Sequence, residues 1–277
     1  MIAERTNATT VLPHPGPLPL GEGELSAVFG EPADSGISMP YWQLHEYAEV
    51  TSTNLIAAKL PAWHAVRADT QTAGRGRFQR NWVSNAGGLW LSAVVPVETN
   101  SAAWRMLPLA TGLAVCDALR ARGVKELRLR WPNDVLVGDR KLAGLLIDQF
   151  QAGLAVVGIG INVGNRPEIC DPALEGLAVR LADLISPVPS VSDLAQFVLA
   201  ALRDIWSQVL DMGPGSVLPR VNALWDLPRR VQLDLDGDVV EGEFAGVDAG
   251  GRLRLRLPDD VNQFFEPQEV KLLRDIP

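Results

Sequence analysis

The chain has 277 residues, 47% of them hydrophobic and 21% charged, and its formal net charge at pH 7 is −8. This composition predicts a globular protein with one large domain or two unequal ones. It argues against a membrane-spanning segment and against a broad nucleic-acid-binding surface, so we expect neither a membrane nor a nucleic-acid partner. The two cysteines are far apart, which fits a reducing compartment and gives no metal-ligand spacing.

The amino-terminal segment, residues 1–39, differs in composition from the rest of the chain. It contains VLPHPGPLPLGEGE, which is rich in proline and glycine and shows neither helical nor strand periodicity. Such a segment cannot bury enough apolar surface to offset its ordering entropy, so we predict a disordered leader.

From Tyr41 the sequence mixes helices and strands. TSTNLIAAKL predicts a short helix with Ser52 or Thr53 at its N-cap, and GLWLSAVVPV predicts a buried strand. A helix over LPLATGLAVCDALRARG, capped near Gly123, is followed by ELRLRW, a half-exposed strand that alternates leucine with arginine. Strands around LAGLLIDQF and LAVVGIGINV and an amphipathic helix from about 192 to 210 complete this domain, residues 40–226.

Past Trp225 only short alternating strands are predicted. Asp236-Gly237 suits a tight hairpin turn between two of them. Residues 227–277 therefore predict a small β-barrel domain, and the fold class of the whole chain is α+β with a boundary near Asp226.

The segment QTAGRGRFQRNW, residues 71–82, combines flexible glycines with Arg75, Arg77 and Arg80. Guanidinium groups match carboxylate or phosphate oxygens two at a time, so the segment predicts a mobile anion clamp; a solvated surface loop is the alternative. The pattern is neither a phosphate-loop signature nor a dinucleotide fingerprint, because Gln79 stands where the third glycine belongs.

Two further segments contain residues that could take part in ligand binding or catalysis. In RWPNDVLVGDRKLAG, residues 130–144, Lys141 could lean inward beside Gly144, whereas an exposed lysine is the alternative. Asn133 and Asp134 could contribute to a site or only to a turn. In VVGIGINV, two glycines interrupt a strand, which indicates either close approach of a ligand or a β-bulge.

TSTN, QTAGRGR…W, GGLWLS, RWPNDVLV…RKLAG and GIGINV, in this order, resemble the biotin protein ligases over roughly residues 41–275. The resemblance implies a catalytic domain like those of biotin and lipoate ligases and class II aminoacyl-tRNA synthetases, followed by an SH3-like β-barrel. It implies a monofunctional ligase, because the amino-terminal winged helix of some members is not recognisable. Two departures stand out: Phe78-Gln79 replace a glycine hinge, and Arg130 stands where many members have lysine.

The implied reaction joins biotin to ATP as biotinyl-5′-adenylate and then transfers biotin to one lysine of a biotin carboxyl carrier protein domain. ATP would bring Mg²⁺, with no metal site contributed by the protein, and the enzyme would be cytoplasmic and either monomeric or a homodimer. The alternatives are a lipoate protein ligase and a non-catalytic sensor of biotin or biotinyl-adenylate. Arg77 and Lys141 favour an enzyme, because a biotin sensor needs no pair of cations aimed at phosphate.

The resemblance also implies roles for individual residues. The implied catalytic residues are Arg77, Asp134 and Lys141. The implied biotin contacts are Ser52, Thr53, Asn54, Gln71, Arg75, Gly76, Arg77, Lys141, Gly144 and Gly158. The implied nucleotide contacts are Arg75, Arg77, Arg80, Trp82, Asn133, Asp134, Lys141 and Asn162.

Overall fold

Two β-sheets organise the part of the chain that the structure, a computed structural model, describes: residues 41–225 and 229–276. The predicted leader and the predicted boundary at Asp226 lie outside these residues. The first sheet has seven strands: β1 (Gln43–Val50), β2 (His64–Gln71), β3 (Leu89–Pro96), β4 (Leu127–Arg130), β5 (Asp134–Val137), β6 (Arg140–Gln151) and β7 (Leu154–Ile161). Their order is β1-β2-β3-β7-β6-β5-β4, and β1 pairs with β2 in parallel while the other neighbours are antiparallel.

Five α-helices accompany this sheet among the described residues: α1 (Thr53–Ala57), α2 (Ala102–Arg120), α3 (Pro167–Cys170), α4 (Val191–Met212) and α5 (Leu218–Asn222). The predicted helices are confirmed as α1, α2 and α4. Ser52 occupies the N-cap position of α1, although its side chain makes no capping hydrogen bond. Gly123 lies beyond the end of α2 with a φ of 92°, a left-handed conformation that favours glycine.

The central strands β3 and β7 present two different faces. One face is apolar throughout, and α2 and α4 cover it to form the main core. The opposite face has a small apolar patch under α1, formed by Ala57, Val66, Val94 and Val156, and then becomes polar and glycine-rich. Because side chains alternate along a strand, the polar and glycine residues of β3, β6 and β7 share one surface.

The second sheet contains the carboxyl-terminal strands β8 (Arg229–Asp234), β9 (Val239–Val247), β10 (Leu253–Arg256), β11 (Asn262–Phe265) and β12 (Leu272–Asp275), in the order β11-β10-β9-β8-β12. All neighbours are antiparallel. The predicted Asp236-Gly237 hairpin joins β8 to β9, and both residues have positive φ. Among the described strands β11 and β12 do not pair with each other, so a small β-sheet is confirmed and a closed barrel is not.

The prediction that β4 is half exposed was wrong at Arg128, which is only 8% exposed. Its guanidinium donates to the carbonyl of Gly138 and to Asp139, and it lies 3.5 Å from the carboxylate of Asp275 on β12. The carboxyl-terminal sheet therefore supplies a charged partner for an arginine that alternation alone places at the surface. None of the helices that the structure describes is long and apolar enough to cross a membrane.

Candidate active site

A cavity of about 460 Å³ opens on the polar face of the seven-stranded sheet, a volume typical of small-molecule sites. Its walls come from α1, β3, β6, β7, the arginine-rich segment 71–82 and residues 270–273 near the carboxyl terminus. All fifteen site residues that the resemblance implies line this one cavity: Ser52, Thr53, Asn54, Gln71, Arg75, Gly76, Arg77, Arg80, Trp82, Asn133, Asp134, Lys141, Gly144, Gly158 and Asn162.

The floor of the cavity is backbone rather than side chain. Gly144 pairs directly with Gly160 across β6 and β7, and a Cβ on either would lie within 3 Å of the indole ring of Trp82. A Cβ on Gly158 would lie 2.6 Å from Oδ1 of Asn54. The register of β7 with β3 and β6 is regular at both of its glycines, so they allow close approach and do not mark a bulge.

One end of the cavity is a network of neutral hydrogen-bonding groups. Thr53 donates its backbone amide to Oε1 of Gln71 at 2.8 Å, and its hydroxyl lies 3.1 Å from the same oxygen. Nε2 of Gln71 in turn donates to the hydroxyl of Ser84 at 2.9 Å. The side chains of Ser52, Thr53 and Asn54 are buried, so this end is shaped for a polar ligand without net charge.

Two residues that hydrogen-bond to Asn54 were missed by the sequence prediction. Oδ2 of Asp148 accepts from Nδ2 of Asn54 at 2.7 Å, and the hydroxyl of Ser92 lies 2.5 Å from Oδ1 of Asn54. Asp148 follows Gly144 on β6 by four residues, so strand alternation could have placed both on the same face. Ser92 gave no such signal, because it lies inside the apolar run of β3.

The other end of the cavity is charged. Nζ of Lys141 lies 2.6 Å from Oδ1 of Asp134, and Nη2 of Arg130 lies 2.7 Å from its Oδ2. Lys141 also lies 4.9 Å from the ring of Trp82, within cation–π range. Burial by itself raises the pKa of Asp134, but the neighbouring Lys141 and Arg130 outweigh it and hold this pKa below its usual value.

The backbone around Lys141 is held by two asparagines. Nδ2 of Asn133 donates to the carbonyl of Leu145 at 2.7 Å, and Nδ2 of Asn162 lies 3.4 Å from the carbonyl of Lys141. A register shift between β5 and β6 lies directly beside Lys141. Asn133 therefore does more than form a turn: together with Asn162 it fixes the strand that carries the lysine.

The arginine-rich segment is anchored rather than solvated at Arg77. Nη2 of Arg77 donates to the carbonyls of Pro267 and Val270, which tie the segment to the connection between β11 and β12. Burial lowers the pKa of this guanidinium, which nonetheless stays protonated at neutral pH. Phe78 and Gln79 have φ values of 56° and 59°, so two residues with side chains occupy left-handed conformations where a glycine hinge was expected.

Cations outnumber carboxylates around the cavity by six to three, although the whole chain is acidic. The cations are Arg75, Arg77, Arg80, Arg130, Lys141 and Lys271, and the carboxylates are Asp134, Asp139 and Asp148. The cavity therefore attracts anions at one end while offering neutral hydrogen-bonding groups at the other. Within the described residues no three metal-ligating side chains come together.

The family model of the Biotin/lipoate A/B protein ligase family matches residues 48–164. A biotin--[acetyl-CoA-carboxylase] ligase of Mycobacterium tuberculosis is 37% identical over 199 residues, which cover 68% of this chain and 71% of that protein. A ligase of the same description from Paracoccus denitrificans is 37% identical over 133 residues, covering 44% of this chain and 55% of that protein.

Among solved structures, the biotin protein ligase of Aquifex aeolicus in complex with biotin and ATP superposes with a TM-score of 0.74 at 26% sequence identity, covering 84% of this chain and 99% of that one. The match therefore extends well beyond the segment that the family model covers. The chain belongs to the Biotin/lipoate A/B protein ligase family and, within it, to the biotin protein ligases.

Proposed function

We propose that this protein is a biotin protein ligase that uses ATP to convert biotin to biotinyl-5′-adenylate and then transfers biotin to a lysine of a biotin carboxyl carrier protein domain. The observation that carries the proposal is the division of one cavity into a neutral hydrogen-bonding end and a cationic end, joined by a glycine floor. Biotin has this same division, with a polar cyclic urea at one end and a carboxylate at the other.

The neutral end receives the cyclic urea in this proposal. A urea offers one carbonyl acceptor and two N–H donors, and Ser52, Thr53, Asn54 and Gln71 offer hydroxyl and amide groups of both kinds. Gly158 and Gly144 let the side chain of Asn54 and the indole of Trp82 lie close to the sheet, beside the space proposed for the bicyclic ring. Burial of these polar groups makes a mismatched ligand costly, which gives selectivity over an elongated apolar acid such as lipoate.

The cationic end brings two anions together. In the first half-reaction an oxygen of biotin's carboxylate attacks the α-phosphorus of ATP, and the bond from that phosphorus to the bridging oxygen breaks to release pyrophosphate. Carboxylate and phosphate repel each other, so Lys141 and Arg77 lower the barrier by placing fixed positive charge where negative charge accumulates. Arg75 and Arg80, exposed at the rim, are proposed to contact the phosphates.

Trp82, Asn133 and Asn162 complete the proposed nucleotide site. The indole Nε1–H of Trp82 is buried and has no hydrogen-bond partner among the described groups, so it is free to donate to a bound ligand. Because the described residues contain no acidic cluster for a divalent cation, we expect magnesium to be held by the phosphates of ATP.

In the second half-reaction, the neutral amine of the carrier's lysine attacks the acyl carbon to form an amide, the bond from that carbon to the phosphate oxygen breaks, AMP leaves with the bonding electron pair, and the amine proton passes to solvent. The lowered pKa of Asp134 makes its carboxylate a weak proton acceptor, so its role in this proposal is to orient cations rather than to deprotonate the amine. We further propose that β8–β12 form an SH3-like module, that its segment 270–273 closes one side of the cavity, and that the enzyme acts in the cytoplasm.

The direct test is to incubate the purified protein with ATP, magnesium, biotin and a carrier domain and to weigh the carrier by mass spectrometry. We expect one added biotinyl group, and no addition when the carrier's target lysine is replaced by arginine. A parallel incubation with lipoate tests the lipoate ligase alternative. Formation of biotinyl-adenylate without any transfer would identify a sensor and overturn the proposed ligase.

A further inference from the structure

A chain of three short hydrogen bonds runs from the rim of the cavity to its neutral end. It joins Asp148 to Asn54 at 2.7 Å, Asn54 to Ser92 at 2.5 Å, and Ser92 to Thr53 at 2.7 Å. Asp148, Asn54 and Thr53 line the cavity, and Asn54, Ser92 and Thr53 are buried. These buried groups have few other partners, so the direction of each hydrogen bond matters to any ligand that meets them.

The donors and acceptors can be assigned from Asp148 inward. An ionised carboxylate only accepts hydrogen bonds, so the amide of Asn54 must turn its NH₂ group towards Asp148. This leaves the carbonyl oxygen of Asn54 facing Ser92, and a carbonyl oxygen also only accepts. The single hydroxyl proton of Ser92 is therefore directed at Asn54.

The distances then favour one arrangement of the last contact. Since Ser92 has given its proton to Asn54, a proton between Ser92 and Thr53 must come from the hydroxyl of Thr53. If Thr53 donated to Gln71 instead, two hydroxyl oxygens would face each other at 2.7 Å with no proton between them. The assigned arrangement leaves Oγ1 of Thr53 and Oε1 of Gln71 without a proton between them at 3.1 Å, a longer contact that costs less, and this Oε1 still accepts the backbone amide of Thr53 at 2.8 Å.

We infer that Asp148 and Ser92 are positioning residues that set the direction of this hydrogen-bond chain, so that Oγ1 of Thr53 faces the ligand as an acceptor for a urea N–H. The inference rests on the proposed function, because it assumes that a cyclic urea occupies the neutral end. Neither residue needs to touch biotin, since each acts through the orientation of its neighbour.

The direction of the chain can be tested with a ligand of nearly unchanged shape. In a cyclic carbamate analogue of biotin, one ring N–H is replaced by oxygen, which accepts rather than donates. The wild-type protein should bind one of the two such regioisomers much more weakly than biotin, because an oxygen would face Oγ1 of Thr53. Without Asp148, Asn54 can turn over and the hydroxyls of Ser92 and Thr53 can reverse.

We therefore expect Asp148→Ala to weaken biotin binding, measured by calorimetry without ATP, by on the order of tenfold. The preference for biotin over the disfavoured carbamate should shrink by a similar factor. Asp148→Asn keeps an acceptor oxygen for Asn54. It should therefore retain most of the biotin affinity and most of the preference for biotin over the carbamate. Ser92→Ala interrupts the chain one step later and should also reduce the preference, which provides a second variant if one of them is unstable.

Asp69→Ala is the matched control, because Asp69 is an exposed carboxylate on β2 that pairs with Arg67. The thermal midpoint of every variant is recorded. Equal losses of biotin and carbamate affinity, or unchanged biotin affinity in Asp148→Ala, would overturn the inference and leave a structural role at most. Failure of the proposed function is separately visible, because the wild-type protein would then not biotinylate the carrier domain.

Discussion

Lys141 and Asp134 form an ion pair at the charged end of the cavity, with Nζ 2.6 Å from Oδ1. The carboxylate also binds Arg130 through its other oxygen, so one anion holds two cations in fixed positions. A ligand anion that enters the cavity meets a lysine whose position is already set, and little reorganisation is needed when negative charge develops beside it.

Replacement of Lys141 by alanine should lower the rate of biotin-dependent pyrophosphate release by about a hundredfold or more, the scale of one preorganised charge contact at a reaction centre. The matched control is Lys125→Ala, which removes an exposed lysine remote from the cavity. A near wild-type rate for Lys141→Ala, with the control also unchanged, would show that the lysine does not act on the reacting groups.

Asp134→Asn should lower the free energy of unfolding by about 2–3 kcal/mol at neutral pH, because it leaves Lys141 and Arg130 without their shared counter-charge. The figure lies below that for a fully buried pair, since the side chain of Lys141 is still 29% exposed. The exposed carboxylate variant Asp69→Asn should change stability by much less, because its partner Arg67 keeps a second carboxylate, that of Glu46, at 2.6 Å.

The loss of stability in Asp134→Asn should depend on pH with a definite sign. The pKa of Asp134 is lower in the folded protein than in the unfolded chain, so its contribution is fully present above the unfolded value of about 4 and disappears as the pH falls through the folded value. Thermal midpoints of the wild type and Asp134→Asn should therefore converge below about pH 4. A gap that is constant down to strongly acidic pH would contradict a lowered pKa at this position.

The local elements could be predicted from the sequence because their periodicity is visible within a few residues. The alternation in β8 and β10 and the stripe of α4 are of this kind, and the structure confirms them. The convergence of segments 52–54, 71–82, 130–144 and 158–162 on one cavity followed only from their resemblance to a family, since no local pattern encodes a contact across 100 residues.

The features that could not be predicted depend on partners remote in sequence. Arg128 is buried because Asp275, near the other end of the chain, lies beside it. Ser92 reads as one more residue of a buried strand, and only the packing of α1 on β3 reveals that it binds Thr53 and Asn54. The carbonyls of Pro267 and Val270 that hold Arg77 carry no sequence signal at all, because every residue has one.

Arg77→Ala should speed the escape of biotinyl-adenylate by about tenfold or more, because a charged clamp acts mainly on the dissociation rate. Loss of its hydrogen bonds to Pro267 and Val270 should also lower stability by about 1–2 kcal/mol. Retention of labelled adenylate after dilution measures the first effect, and thermal melting measures the second.

Arg77→Lys separates the two contributions of this side chain. It keeps the positive charge but not the planar donor group, so retention should lie between those of the wild type and Arg77→Ala. Arg120→Ala, on the exposed surface of α2, should leave both measurements unchanged. Adenylate retention that is the same in all four proteins would remove segment 71–82 from the proposed mechanism.

Gly158→Ala should weaken biotin binding by at least tenfold while the protein still folds. The added Cβ would lie 2.6 Å from Oδ1 of Asn54, and Asn54 cannot move without breaking its hydrogen bonds to Asp148 and Ser92. Glycine is otherwise unfavourable inside a strand, so alanine at this site would be neutral or stabilising if close approach were not required. Gly215→Ala, where the added Cβ meets nothing within 4 Å, is the control. Calorimetric titration with biotin decides the matter: equal affinities for Gly158→Ala and the wild type would mean that biotin binding does not depend on the position of Asn54 against Gly158.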